Sequence, residues 1–367
     1  LLFSFSPSWS DPVHKYISDP PGTVRDSAGN ITHQADINDF KKFAIICKHI
    51  AMHYNDGWKN GFNYNIKRWE LWNEPETNTQ FWTGTPMQFF QMYAELAKAF
   101  RAYNPSLLLY GPGNAEVVPP SNSGVDSETY TSKFLEYCNN NSIPIDVYTW
   151  HSYGGETIVP SHIKTVADSM RTRLNTYGFA STPMSCDEWN SGINQSNFSD
   201  SGKGAAYYGC ALTYMIEKDI IESYQYRGDD HPLGLIRSSD GQFKTAAYTL
   251  KALKQMTESC TRLGCSTTVS GEFASLASKS SLDGSYYIMA SNFSADGNTT
   301  QKQTVKLTVS SVASPPAGGW VVTRKVINDT KKLETEETLS IASGAQAAYI
   351  FDIPSNSVAF IQISRKN

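Results

Sequence analysis

Two glutamates stand where their type and setting could do chemistry: Glu74 in WELWNEPE and Glu188 in SCDEWN. Each closes an apolar run that reads as a buried strand, and a carboxylate there is costly to desolvate. A purely structural carboxylate would need a basic partner, and neither segment carries one beside it. Taken singly, each is equally readable as a rim residue paired with a distant Arg or Lys. Taken together, two carboxylates facing one another suit the cleavage of a glycosidic bond. One must be protonated to hand a proton to the leaving oxygen. The other must be ionised to attack or to activate water. Desolvation in the aromatic setting around Trp72, with their mutual repulsion, would keep a proton on one of the two. Asn73, next to Glu74, is placed to hydrogen-bond a sugar hydroxyl.

The elements that must position these residues alternate from Leu1 to about Ser259. LLFSFSP reads as a strand, and Asp36 to Tyr54 as a helix with Phe40, Phe43, Cys47, Ile50 and Tyr54 at helical spacing. The strand IKRWELWNEP is followed by a helix opened by Thr85-Pro86, with Gln88 completing a capping box. Phe89, Tyr93, Leu96 and Phe100 line its inner face, and Asn104-Pro105 ends it. LLLYGPG precedes a helix around 134–140, IDVYTWHSYG one around 163–177, PMSCDEWN one around 205–218, and IIESYQYR one over 245–258. Such alternation predicts an α/β fold with a parallel sheet, either open and doubly wound or closed as a TIM (β/α)8 barrel. No GxGxxG or GxxxxGK[ST] follows any strand, which counts against nucleotide-binding open sheets. From about Cys260 the runs FASLAS, SYYIMASNFS, QTVKLTVSSV, WVVTRKVI, AAYIFDI and SVAFIQIS alternate with period two. They predict an all-β sandwich, so the domains are 1–259 and 260–367.

Composition narrows the function classes. The 367 residues hold 35 acidic and 31 basic side chains, a net charge of −4, which gives no basic excess to draw nucleic acid or anionic lipid. No apolar run reaches the roughly 18 residues of a membrane span, and the N-terminus does not read as a signal peptide. The aromatic share of 12% suits sugar faces and equally suits ordinary cores. HIAMH at 49–53 lacks the Glu of a zinc protease and reads as helix surface, and no GxSxG elbow is present. Asp229-Asp230-His231 reads as a solvated turn, and Glu334, Glu336 and Glu337 as a solvent face. Among the six cysteines, Cys260 and Cys265 are spaced for a small disulfide loop, while Cys47, Cys138, Cys186 and Cys210 read as buried thiols. Sequons begin at Asn30, Asn140, Asn194, Asn197, Asn292, Asn298 and Asn328, which fits a secreted glycoprotein, whether extracellular, lysosomal or periplasmic.

WNEPE at 72–76, WHSYG at 150–154 and DEWN at 187–190, with GLIRSSDGQFKTAAY at 234–248 and a sandwich after it, resemble glycoside hydrolase family 39. That family of β-xylosidases and α-L-iduronidase belongs to the clan of retaining glycosidases built on (β/α)8 barrels. The resemblance covers nearly the whole chain. It implies hydrolysis of β-linked glycosides of xyloside or glucoside type by double displacement, without a cofactor or metal. Glu74 would be the acid/base ending strand four, and Glu188 the nucleophile ending strand seven. Asn73 would bind the 2-hydroxyl of an oligo- or polysaccharide substrate. His151 and Tyr153 end the sixth strand, where the Tyr hydroxyl would orient Glu188. Tyr226 and Arg227 end the eighth, Tyr226 flooring the sugar site, and Trp9 would line a subsite. On this alignment LLFSFSP is strand three, so strands one and two are missing from this sequence: a second polypeptide of a cleaved precursor would supply them, or the sequence is truncated, or the barrel is rebuilt in some other way. In members of the clan strand two usually carries an Arg that holds the nucleophile, and no residue here can be assigned to it. The competing expectation is a catalytically silent carbohydrate-binding or structural extracellular protein that keeps a glycosidase-like barrel.

Overall fold

The structure is a computed structural model that describes residues 1–5, 18–77, 81–115, 127–153, 159–192, 197–229, 232–296, 302–308, 317–342 and 348–366. Trp9, Asn194, Asn298, Asp230 and His231 lie outside the described residues. Strand β1 (Leu2–Ser4), a hairpin of β2 (Val24–Arg25) and β3 (Ile31–His33), and helix α1 (Ile37–Asn55) open the chain. There follow β4 (Arg68–Glu70), α2 (Pro86–Tyr103), β5 (Leu108–Asn114), α3 (Ser127–Asn140), β6 (Val147–Tyr153) and α4 (His162–Thr176). Next come β7 (Met184–Asn190), α5 (Gly202–Glu217), β8 (Ile220–Gln225) and α6 (Thr245–Thr257). The order of one sheet is β1-β4-β5-β6-β7-β8, with parallel registers such as Phe3 beside Trp69 and Trp69 beside Leu109. Each strand neighbours the next one along, as right-handed βα crossovers dictate. This is the expected (β/α)8-type sheet in six strands, and among the described residues β1 and β8 are its edges.

Helix α2 shows how the sequence sets these elements. Thr85 accepts from the Gln88 N–H, and the Gln88 side chain accepts from the Thr85 N–H, so both ends of the capping box close. Phe89, Tyr93, Leu96 and Phe100 are all fully buried. Replacing Thr85 by Ala leaves the Gln88 N–H without its cap, and we expect a loss of about 1 kcal/mol in urea-unfolding stability. Helix α1 is capped by Asp36, but its buried stripe is Phe40, Ala44, Cys47 and Ala51. Phe43 and Ile50 are only half-buried, because the small Ala44 and Ala51 face inward in their place. Among the described residues no helix is long and apolar enough to cross a membrane.

The chain divides into two compact units, 1–152 with 166–188 and 219–224, and 153–165 with 189–218 and 225–367. The second unit holds α5, α6 and the strands β9 (Cys260–Leu263), β10 (Phe273–Ser280), β11 (Tyr286–Asn292), β12 (Lys302–Thr308), β13 (Trp320–Ile327), β14 (Lys332–Ile341), β15 (Ala348–Pro354) and β16 (Ser357–Arg365). A six-stranded antiparallel sheet, β14-β13-β16-β11-β10-β9, is joined by the pair β12-β15. Period-two alternation gives this sheet two apolar faces. Tyr286, Ile288, Ala359, Ile361 and Ile363 pack with Tyr349, Phe351 and Ile353 of β15. Met289, Val358 and Phe360 point the other way, onto Ala205 of α5 and Ala252 and Met256 of α6.

Two expectations need correction here. Cys260 and Cys265 are free thiols, not a disulfide. The Cys260 Sγ lies against the Gln255 and Glu258 carbonyls, whereas the Cys265 Sγ reaches the Ser275 hydroxyl across the sheet. Asn292, expected as a sequon, is 6% exposed, and its amide nitrogen donates to the Ile353 carbonyl. It is a buried sheet residue, where a glycan has no room. Cys47, Cys138, Cys186 and Cys210 are buried free thiols, as their apolar surroundings require.

Candidate active site

Glu74 follows β4 on a backbone that few residues adopt: its φ is +43°, in the left-handed region. Its N–H donates to the Gly113 carbonyl at 2.8 Å, and its carbonyl accepts from the Thr77 N–H and hydroxyl at 3.2 and 2.8 Å. These three bonds hold the strained turn and aim the carboxylate. Gly113 itself sits at φ +67°, where a Cβ would lie 3.0 Å from the Trp72 carbonyl oxygen and 3.2 Å from Glu70 Oε1. The close passage of β5 under the WNEP turn therefore requires a glycine. Trp72 is buried, with its indole N–H on the Phe81 carbonyl and its ring edge-on to Trp82.

Three strands bring three side chains together. His151 on β6 lies between Glu74 and Glu188, and one donor or acceptor atom from each falls within 4.8 Å of the others. His151 Nδ1 is 2.6 Å from Glu74 Oε1 and 4.0 Å from Glu188 Oε1. The imidazole is 1% exposed, Glu74 14% and Glu188 27%, so the histidine is sealed while both carboxylates reach solvent. Burial opposes charge on His151. The hydrogen bond to Glu74 and the negative charges of Glu188, Glu74 and Glu70 outweigh it and lift its pKa to about 9. The partner that neither glutamate finds in its own segment thus comes from the WHSYG strand.

One nitrogen and two carboxylate oxygens at this spacing resemble a cation site. A protonated imidazole has no lone pair to give a metal, however, so at neutral pH the trio is better suited to holding a proton than an ion.

His151 also couples the site to folding. Its folded pKa of about 9 is above the ordinary value of about 6.5. The resulting stability is complete below the unfolded value and is lost as pH rises through about 9. We expect urea-unfolding stability to fall between pH 6.5 and 9.5, and the His151→Asn protein to lack that part of the slope. A variant with the same slope as the wild type would disprove the assignment.

Beneath the trio lies a layer that the sequence reading missed. Glu70 on β4 is 4% exposed and accepts the Thr149 hydroxyl hydrogen at 2.8 Å. That hydroxyl in turn accepts the Gly113 N–H, also at 2.8 Å. Asp187 on β7 has a side chain only 2% exposed, with Oδ1 3.9 Å from His151 Nε2. Desolvation, and next the charge and hydrogen bonding of Glu70, push the Asp187 carboxyl well above the usual carboxylate range. The signal for both was an ionisable residue inside an otherwise apolar strand, Glu70 four residues before Glu74 and Asp187 immediately before Glu188. Lower still, Glu222 of β8 takes an ion pair from Arg68 at 2.9 Å and hydroxyl bonds from Tyr110 and Tyr224, each at 3.0 Å.

The remaining expected site residues fall as follows. Asn73 is half-buried beside Glu74. Tyr153, Tyr226 and Arg227 belong to the second unit. There the Tyr153 and Tyr226 rings meet edge-on at 6.5 Å, and Tyr226 is 37% exposed. The Tyr226 N–H donates to the Trp189 carbonyl, and the Asn190 amide donates to the Tyr226 and Leu233 carbonyls. The Asn of DEWN is thus a clamp on the Tyr226 backbone. Arg227 is paired with Asp229, two residues on.

Comparison with known proteins bears on this site. The Glycosyl hydrolases family 39 profile matches residues 20–233, more than half of the chain. A β-xylosidase of Geobacillus stearothermophilus is 22% identical over 217 residues, covering 54% of this chain and 40% of that protein. One from Caldicellulosiruptor saccharolyticus is 26% identical over 134 residues, covering 36% and 24% respectively. The chain therefore spans less than half the length of these curated relatives. Among solved structures, a glucosidase from Croceicoccus marinus superposes with a TM-score of 0.74 at 21% identity, over 91% of this chain and 76% of that one. A monomeric β-xylosidase from Caulobacter crescentus CB15 gives 0.69 at 16%, over 92% and 77%. Both superpositions are likenesses of fold, a barrel followed by a β domain, into which the six-stranded sheet and the sandwich fit. The profile match extends through both glutamate motifs and the histidine between them, and the chain belongs to glycosyl hydrolases family 39.

Proposed function

We propose that this chain forms the reacting part of a retaining glycosidase acting on β-linked xylosides or glucosides. The observation that carries the reading is the meeting of Glu74, His151 and Glu188 within 4.8 Å. Double displacement needs carboxyl groups about 5–5.5 Å apart, whereas inversion needs about 6.5–9.5 Å to seat a water between them. The close convergence favours the former. Glu188 would attack the anomeric carbon as the bond to the leaving oxygen breaks. That oxygen would take the proton from Glu74, leaving a glycosyl ester on Glu188. In the second step Glu74 would take a proton from water, the water would attack the anomeric carbon, and the ester bond to Glu188 would break.

The hydrogen bond to His151 gives Glu74 a partner with which to share the proton. Glu188, at 4.0 Å from the same nitrogen, is too far to share it. Asn73, beside Glu74, is proposed to contact the sugar. Two further parallel strands, lying between the β1 and β8 edges, would close the sheet. Exposed sequons at Asn30, Asn140 and Asn197 support a secreted glycoprotein.

The test is a 2-deoxy-2-fluoro aryl β-xyloside or β-glucoside, whose second step is slow. Peptide mass spectrometry should find the fluorosugar on Glu188. No label and no hydrolysis of either aryl glycoside would leave the silent sugar-binding reading in its place.

A further inference from the structure

We propose that Asp187 is a positioning residue: protonated and hydrogen-bonded to Glu70, it presents Oδ1 to His151 Nε2 and leaves Nδ1 to trade a proton with Glu74. The inference rests on the glycosidase reading of Glu74, and it concerns how the proton beneath that residue is held.

The hydrogens can be followed one at a time. The Thr149 oxygen accepts from the Gly113 N–H, and its single hydroxyl hydrogen goes to Glu70 Oε1. Glu70 is therefore an acceptor on that side. Two buried carboxyl groups in contact, 4% exposed for Glu70 and 2% for the Asp187 side chain, cannot both ionise without a cation between them. The shared proton belongs on Asp187, donated to Glu70, the direction in which burial and the Glu70 charge already push it. That leaves Asp187 Oδ1 as a carbonyl-type acceptor. It is buried, without a hydrogen-bond partner among the described residues, and it is the atom 3.9 Å from His151 Nε2. One bridging water or a small ring rotation closes that distance.

A histidine whose Nε2–H is spoken for can exchange its proton only through Nδ1, and Nδ1 is 2.6 Å from Glu74. The charged or titratable groups facing the ring are Glu70 and Glu74 from β4 and the turn after it, and Asp187 and Glu188 from β7. Among the described residues, Asp187 is the acidic group that approaches Nε2, at 3.9 Å.

The test is nitrogen-15 NMR of histidine-labelled protein, with the His151 signals assigned by their loss in His151→Asn. In the wild type, His151 should titrate near pH 9, and its neutral form should carry the hydrogen on Nε2. Asn at 187 reproduces a protonated acid, with an N–H for Glu70 and a carbonyl for Nε2. Asp187→Asn should therefore keep the titration within about half a pH unit, while the Glu70→Gln/Asp187→Asn double variant, which removes the pair's charge whichever residue carries it, should lower it by about one unit or more. A downward shift in Asp187→Asn equal to that in the double variant would show that Asp187 carries the charge and overturn the proposal. So would a neutral wild-type ring protonated on Nδ1, a result that needs no variant to fold. None of these readouts uses a substrate, so a protein that behaves as expected here but hydrolyses no glycoside would sink the glycosidase reading alone.

Discussion

Glu188→Ala is expected to lower kcat on aryl β-xylosides or β-glucosides by at least ~10⁴-fold, because it deletes the atom that forms the covalent bond. The choice of Glu188 over Glu74 rests on the histidine. Glu74 is engaged at 2.6 Å with a group that carries a proton at neutral pH, while Glu188 lies 4.0 Å from that nitrogen and reaches solvent. A nucleophile should be ionised and reachable, and an acid/base should have a proton to share. The alanine variant also leaves a space where a small anion can act in place of the carboxylate. Added azide should restore turnover on a dinitrophenyl glycoside and yield the α-glycosyl azide, since attack comes from the vacated face. Proton NMR of the anomeric signal distinguishes it from the β-azide. A Glu188→Ala enzyme within tenfold of the wild type, or a β-azide product, would assign the nucleophile elsewhere.

The two carboxylates were legible because they break a pattern. A glutamate after an apolar strand, flanked by Trp and Asn, stands out against the core that precedes it. Glu70 and Asp187 were not legible, although they are the more deeply buried carboxyl groups. Each lies within a run of strand residues, and nothing in one dimension says that β4 and β7 bring them together. His151 was ambiguous for a related reason, since a histidine ending a strand is as easily a satisfied core residue. The Glu74 turn, whose φ is positive, is what brings the carboxylate to His151 Nδ1.

Helices followed the same rule. Helix α2 announces itself through a reciprocal cap and four large apolar residues at proper spacing. Helix α1 has its cap, yet its inward face is partly alanine, and a reading weighted toward large side chains rotates the stripe. Helix α3 begins at Ser127, earlier than its apolar residues indicate, because its first turn, SETY, is mostly polar. The Cys260–Cys265 spacing failed because proximity in sequence does not fix where two thiols point: one faces its own chain turn, the other the next strand.

Glu74→Ala should divide substrates by their leaving groups. Cleaving an alkyl xyloside or a disaccharide needs a proton on the departing oxygen, and general acid catalysis supplies about 10²–10⁴-fold. We expect a loss toward the upper end of that range for such substrates. A dinitrophenyl glycoside leaves without a proton, so its first step should be nearly spared. Its second step, which needs a base for water, should slow until the glycosyl-enzyme accumulates, visible as a burst of dinitrophenolate. The pH profile carries the sign of the histidine. In the wild type His151, hydrogen-bonded to Glu74, keeps its proton below about pH 9, so kcat/KM on poor leaving groups should hold through neutrality and fall as pH rises through about 9. Without Glu74 the hydrogen bond that lifts His151 is gone, and its titration should move downward, a shift that labelled-histidine NMR reads directly. If Glu74→Ala slows good and poor leaving groups alike and leaves His151 titrating near 9, then the proton on the leaving oxygen comes from another group, and the 2.6 Å bond is structural.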